Sequence, residues 1–123
     1  MSKLKNNFPR YGEIWLLKNS ERIKEISKDH RPVSVVSNDE RNEYSSSVVV
    51  LPTTTDGLEN ISPIEIFIDN APETGLNYPS KILCDSPFTW DKGLRFEKKL
   101  GVVSKETMNK VKKTWQLLLI EIN

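Results

Sequence analysis

One cysteine and one histidine in 123 residues leave this chain few soft ligands for a metal. A lone cysteine, Cys84, excludes a disulfide within the chain and fits a reducing compartment, and a zinc site is not expected. Catalytic signatures are missing as well. There is no glycine-rich phosphate loop, no GxSxG elbow, no HExxH and no Cys/His pair at a useful spacing. Long apolar runs are absent: nothing approaches the roughly 18 residues of a membrane span. Met1 to Arg10 (MSKLKNNFPR) lacks the apolar stretch of a secretory signal, so a cytoplasmic protein with no membrane contact is expected. Repeats and low-complexity tracts are also lacking.

What is present is the composition of an ordinary globule, 37% hydrophobic and 28% charged, of a size for one core. The net charge of +1 hides an uneven distribution. Asp56 to Asp91 holds seven acidic residues against Lys81 alone, whereas Lys92 to Lys113 holds eight basic residues against Glu97 and Glu106. Such a basic block attracts phosphates, with a steering effect that salt weakens, and part of it is equally the solvated face of a helix.

The pattern along the chain is that of short strands and one helix. Glu13 to Lys18 (EIWLLK), Pro32 to Ser37, Val48 to Thr53, Ile64 to Ile68 (IEIFI), Lys81 to Cys84 and Lys99 to Val103 read as strands. Pro32 to Ser37 and Val48 to Thr53 are expected to pair antiparallel through an irregular connection rich in turn residues. Asn19 to His30 is charged and aperiodic and reads as a loop. Pro87 fits the first position of a turn or short helix, and Gly101 marks a bulge or close approach. Ser104 is an N-cap candidate for a terminal helix, with Met108, Val111, Trp115, Leu118 or Leu119, and Ile122 at helical spacing. The expected layout is a flexible 1–9 segment and a single domain over 10–123.

Candidate functional residues gather around the segment RPVSVVSNDERNEYSSSVVVLPTTT (Arg31 to Thr55). It places a permanent cation, Arg31, and the hydroxyls of Thr53, Thr54 and Thr55 at the ends of paired strands. Asp85 and the basic segment with Lys92 and Arg95 complete the set. Taken singly these residues have ordinary explanations: an arginine opening a strand pairs with an acid, and threonine is common in strands. His30 reads as a surface loop residue rather than a base.

The order of three segments resembles the MazF/PemK group of toxin endoribonucleases. The carriers are RYGEIWLLK (Arg10 to Lys18), the Arg31 to Thr55 segment, and CDSPFTWDKGLRFEKKLGVVSKETMNKV (Cys84 to Val111). The resemblance implies a mainly β, SH3-like small barrel with a C-terminal helix (an α+β chain), used as a homodimer. It implies cleavage of single-stranded RNA without a metal or other cofactor, leaving a 2′,3′-cyclic phosphate and a 5′-hydroxyl. It also implies a cognate antitoxin whose disordered segment folds over the toxin.

That reaction needs a base for the 2′-hydroxyl, an acid for the leaving 5′-oxygen and a cation for the charge on the phosphorane. By resemblance, Arg31 is the phosphate clamp, Thr54 a hydrogen-bond partner of the scissile phosphate, and Asp85 the base. Thr53, Thr55, Phe88, Lys92 and Arg95 are the expected substrate contacts, and Phe88 and Trp90 are either base-stacking or core residues. The chain departs from the Kid-like branch where two arginines are expected, at Leu83 and Phe88. The position of a Kid-like histidine falls near Glu25. Lys81, Lys92, Arg95 and His30 are the alternatives for the acid. A barrel that keeps the fold only to bind RNA or protein is the competing reading.

Overall fold

Two apolar clusters on opposite faces of one curled sheet organise the molecule. The computed structural model describes residues 8–18, 32–93 and 96–119, with the side chain of Leu119 outside that set. Seven strands, β1 (Glu13–Leu17), β2 (Pro32–Val35), β3 (Ser47–Thr54), β4 (Glu65–Ile68), β5 (Ser80–Leu83), β6 (Phe88–Asp91) and β7 (Phe96–Val102), form a sheet. Its order is β4-β5-β3-β2-β1-β7, with β6 also paired to β3. A short helix α1 (Asp39–Tyr44) joins β2 to β3, and α2 (Lys105–Thr114) closes the chain and runs into a π-helical turn at Trp115–Leu119. This is the mainly β domain with a C-terminal helix that the sequence implies.

The expected antiparallel pair is present, with Val33 opposite Pro52 and Val35 opposite Val50. Its connection is helical rather than irregular. Asn38 accepts a hydrogen bond from Arg41 N at 2.8 Å, and Asp39 and Glu40 stand in the first turn. The residues that signal a turn are those that cap a helix start, so sequence alone does not separate the two. The far end of α1 is closed by Lys92, whose Nζ donates to the Glu43 carbonyl at 2.8 Å and to that of Asn42.

Strand β3 is shared between two partners. Ser47 to Val50 pair with β6, and Thr53 and Thr54 pair with β5. The Pro87 segment therefore leads into a strand, not a short helix. Phe88 and Trp90 alternate inward on β6 with ring centroids 5.5 Å apart, both packed against the cluster of Leu17, Val33, Val35, Val48, Val50 and Phe96. Four residues are too few for a period of two to be read in advance.

Helix α2 begins as expected: Ser104 accepts from Thr107 N at 3.1 Å. Met108, Val111 and Thr114 are buried, and Met108 and Val111 join Ile14, Leu51, Ile66, Ile82 and Cys84 in the other cluster. Trp115 packs at its edge. The apolar stripe does not continue to Leu118, which is 54% exposed, because the π-helical turn shifts the face by one residue per turn. Leu119's side chain and Ile122 lie outside the described residues.

Candidate functional site

On the sheet face turned away from α2, three strands set one row of side chains side by side. Thr54 of β3 is registered with Lys81 of β5, and Lys81 in turn with Phe67 of β4. Directly opposed residues share a face with Cβ atoms about 4.5–5.5 Å apart. The neighbouring register, Thr53, Ile82 and Ile66, points the other way into the core beneath α2. A second row on the outer face pairs Glu65 with Leu83.

These side chains are tied together by polar contacts. Lys81 is buried, and its ammonium donates to Glu65 Oε1 at 2.9 Å and to the Gly57 carbonyl at 3.1 Å. Glu65 also accepts from Ser62 N at 3.0 Å. The Lys81 hydrogen bond, then that from Ser62, hold the Glu65 carboxyl below its ordinary range. Thr54 Oγ1 accepts from Asp56 N at 3.1 Å. Among the described residues no acceptor takes the Thr54 hydroxyl proton, which is therefore available to a phosphate oxygen.

The other candidates occupy varied positions. Thr53 is buried and its hydroxyl donates to the Pro32 carbonyl at 2.8 Å, fastening the start of β2 to the end of β3. Arg31, the residue before Pro32, lies outside the described residues, as do His30, Arg95, Glu25 and the 19–30 segment. Thr55 is exposed at the bend after β3. Asp85 is exposed in the turn that follows β5 and accepts from Ser86 Oγ at 3.4 Å. It lies beyond Leu83, which is about 7 Å along the strand from Lys81, so the strand register does not bring Asp85 into the Thr54 row. Phe88 is packed on Trp90, and the Lys92 ammonium is engaged by α1.

Cys84 sits between this turn and the core. Burial, reinforced by the charges of Asp85 and then Glu65, pushes its thiol up to about 11. At pH 8 its reaction with a disulfide reagent is therefore expected to run at least about 100-fold slower than that of a free thiol, reaching the free rate in guanidinium. A fast reaction in the folded protein, followed at 412 nm, would show that the thiol is neither buried nor protonated.

Two residues around Lys81, one in its row and one beside it, escaped the sequence reading. Phe67, 46% exposed, was signalled by the alternation of IEIFI, which puts it opposite Ile66 and Ile68. Glu65 was not identifiable as the partner of Lys81, because nothing in sequence shows that residues 16 positions apart stand diagonally on paired strands, Glu65 opposite Leu83 and Lys81 opposite Phe67. Apart from this row, a cleft of about 880 Å³ opens between α1 and α2, lined by Tyr11, Val36, Asp39, Arg41, Met108 and Lys112 among others. None of the described site candidates lines it.

A small mainly β domain carrying a hydroxyl, a cation and an aromatic ring on one sheet face has the makings of a nucleic-acid-processing protein. Residues 10–119 match the PemK-like, MazF-like toxins of type II toxin–antitoxin systems, and the chain belongs to that family. Among solved structures, an endoribonuclease in complex with its cognate antitoxin from a mycobacterial species superposes with a TM-score of 0.72 at 22% identity, covering 94% of this chain and 99% of that one. MazF in a MazE–MazF complex from Deinococcus radiodurans gives 0.70 at 20% identity, covering 92% and 96%. The Mycobacterium tuberculosis toxin MazF-mt6 gives 0.68 at 19%, covering 89% and 99%. At such identities the likeness is one of fold. No curated protein matches the sequence.

Proposed function

We propose that this chain is an endoribonuclease toxin that cuts single-stranded RNA by attack of a ribose 2′-oxygen on the adjacent phosphate, releasing a 2′,3′-cyclic phosphate and a 5′-hydroxyl. The observation that carries the reading is Thr54: its hydroxyl, on a half-buried side chain, stands opposite a buried lysine. Thr53 fastens the same strand end to Pro32, the residue that follows Arg31. In this reading Arg31 binds the scissile phosphate through two nitrogens, which suits a guanidinium that stays charged. Thr54 donates to a phosphate oxygen, Asp85 is the base that the resemblance assigns, from the turn beyond β5 rather than from the Thr54 row, and Thr55 and Arg95 contact flanking nucleotides. No metal is required, because positioned side chains supply the acid, the base and the charge. The toxin acts in the cytoplasm as a homodimer and is silenced by a cognate antitoxin.

The departures at Leu83 and Phe88 favour a second reading, a barrel that binds RNA or protein without cutting. Incubating the protein with a long single-stranded RNA in EDTA separates the two. Discrete cuts with cyclic-phosphate ends are expected, slowed about 10- to 100-fold in Thr54→Ala, the effect of one hydrogen bond to a charged group. RNA that is bound but stays intact over a wide protein range would leave the binding module as the function.

A further inference from the structure

We propose that Lys81 is the general acid of this site, passing its Nζ proton to the 5′-oxygen that leaves the phosphorus. The inference rests on the endoribonuclease reading above and names the group that reading leaves open. When the 2′-oxygen–phosphorus bond forms, the 2′-hydroxyl proton goes to the base. When the phosphorus–5′-oxygen bond breaks, that oxygen takes the pair of electrons and needs a proton to leave as a hydroxyl. Lys81 then stands as a neutral amine and regains a proton from water.

Placement comes first. Lys81 is directly opposite Thr54 in the sheet, so a phosphate held by the threonine hydroxyl lies within a side chain's length of the ammonium. It is also the only basic residue between Asp56 and Asp91. Hydrogen-bond accounting comes second. An ammonium has three N–H groups, and Gly57 and Glu65 accept two of them. Among the described residues nothing accepts the third. Tying the 56–60 turn to β4 explains the first two contacts, to Gly57 and Glu65, and leaves the third donor without a task.

Glu65 is the positioning residue. It is fixed by Ser62 N and in turn fixes Nζ on a side chain that otherwise has four rotatable bonds. Its carboxyl is held ionised by Lys81 and Ser62, so the pair keeps its geometry through the neutral range.

The test uses the RNA site mapped in EDTA, made as a short oligonucleotide with either the natural 5′-oxygen or a bridging 5′-sulfur at the cut. A thiolate leaves without protonation, so the sulfur substrate has no use for an acid. Lys81→Arg keeps the charge and both acceptors but is a far weaker acid. It is expected to cut the oxygen substrate about 100-fold more slowly than the parent and the sulfur substrate within about threefold of it. Lys81→Met, confirmed as folded by its melting curve, is expected to show the same split. Equal losses on both substrates in Lys81→Arg would mean that Lys81 only holds the 56–60 turn, and would overturn the assignment while leaving the nuclease intact. A parent protein that cuts neither substrate overturns the nuclease reading and this one together.

Discussion

Cleavage of single-stranded RNA by Arg31→Ala is expected to fall by about 10²–10³-fold, the loss that follows removal of one preorganised donor to developing charge. The phosphorane gains negative charge on its non-bridging oxygens, and in the proposed site Arg31 is the group assigned to that charge. Thr54 offers one neutral hydroxyl, and Lys81 is committed on two sides by Glu65 and Gly57. Arg31→Lys is expected to recover about tenfold, since lysine restores the charge but not the planar two-point grip. Rates measured on the same RNA under single-turnover conditions, with circular dichroism as the folding control, decide the matter. Cleavage that persists in Arg31→Ala would move the clamp to another residue.

The largest effect on stability is expected at Gly75. A Cβ there would stand 2.0 Å from the Leu100 carbonyl oxygen, and the residue has φ of +70°, a region that L side chains seldom enter. The chain crosses itself closely here: Gly101 brings β7 so near that its own Cβ would meet the Glu73 oxygen at 2.2 Å. Val102 N donates to that same carbonyl at 2.8 Å. Neither backbone has room to yield, so Gly75→Ala is expected to cost at least about 3 kcal/mol and lower the melting midpoint by about 10 °C or more. Gly57 offers the internal comparison. Its φ of +69° is nearly the same, but a Cβ there meets only the end of the Lys81 side chain, with Nζ at 3.1 Å, and no backbone atom. Gly57→Ala is expected to cost about 1–2 kcal/mol, the backbone strain without the collision. Equal losses in the two variants, by thermal melting, would show that torsion rather than crowding governs Gly75.

The strands were readable because their signals are local. IEIFI alternates, PVSV and SVVVLP are β-branched, and Ser104 announces a helix that starts where its cap says. The basis for Gly101 was legible too, since a glycine inside a strand marks a close approach. The connection at Asn38 was not, because one set of residues serves both turns and caps. Nor was β6, whose four residues are held by Ser47 to Val50, the first half of β3, before that strand passes to β5. The site was legible only in part for the same reason. Thr54 could be singled out from its position at a strand end, but the pairing that puts Lys81 beside it and Glu65 behind it is a property of register, set between segments distant in sequence.

Strand β1 lies between β2 and β7, with Leu17 paired to Phe96 and Glu13 to Val102. These partners are far apart in sequence, so the sheet acquires this seam only after β7 has been made. Closure of that kind makes folding slow relative to helical proteins of the same length. During synthesis one edge of β1 waits without its mate, and the protein ripens as a unit rather than in stages.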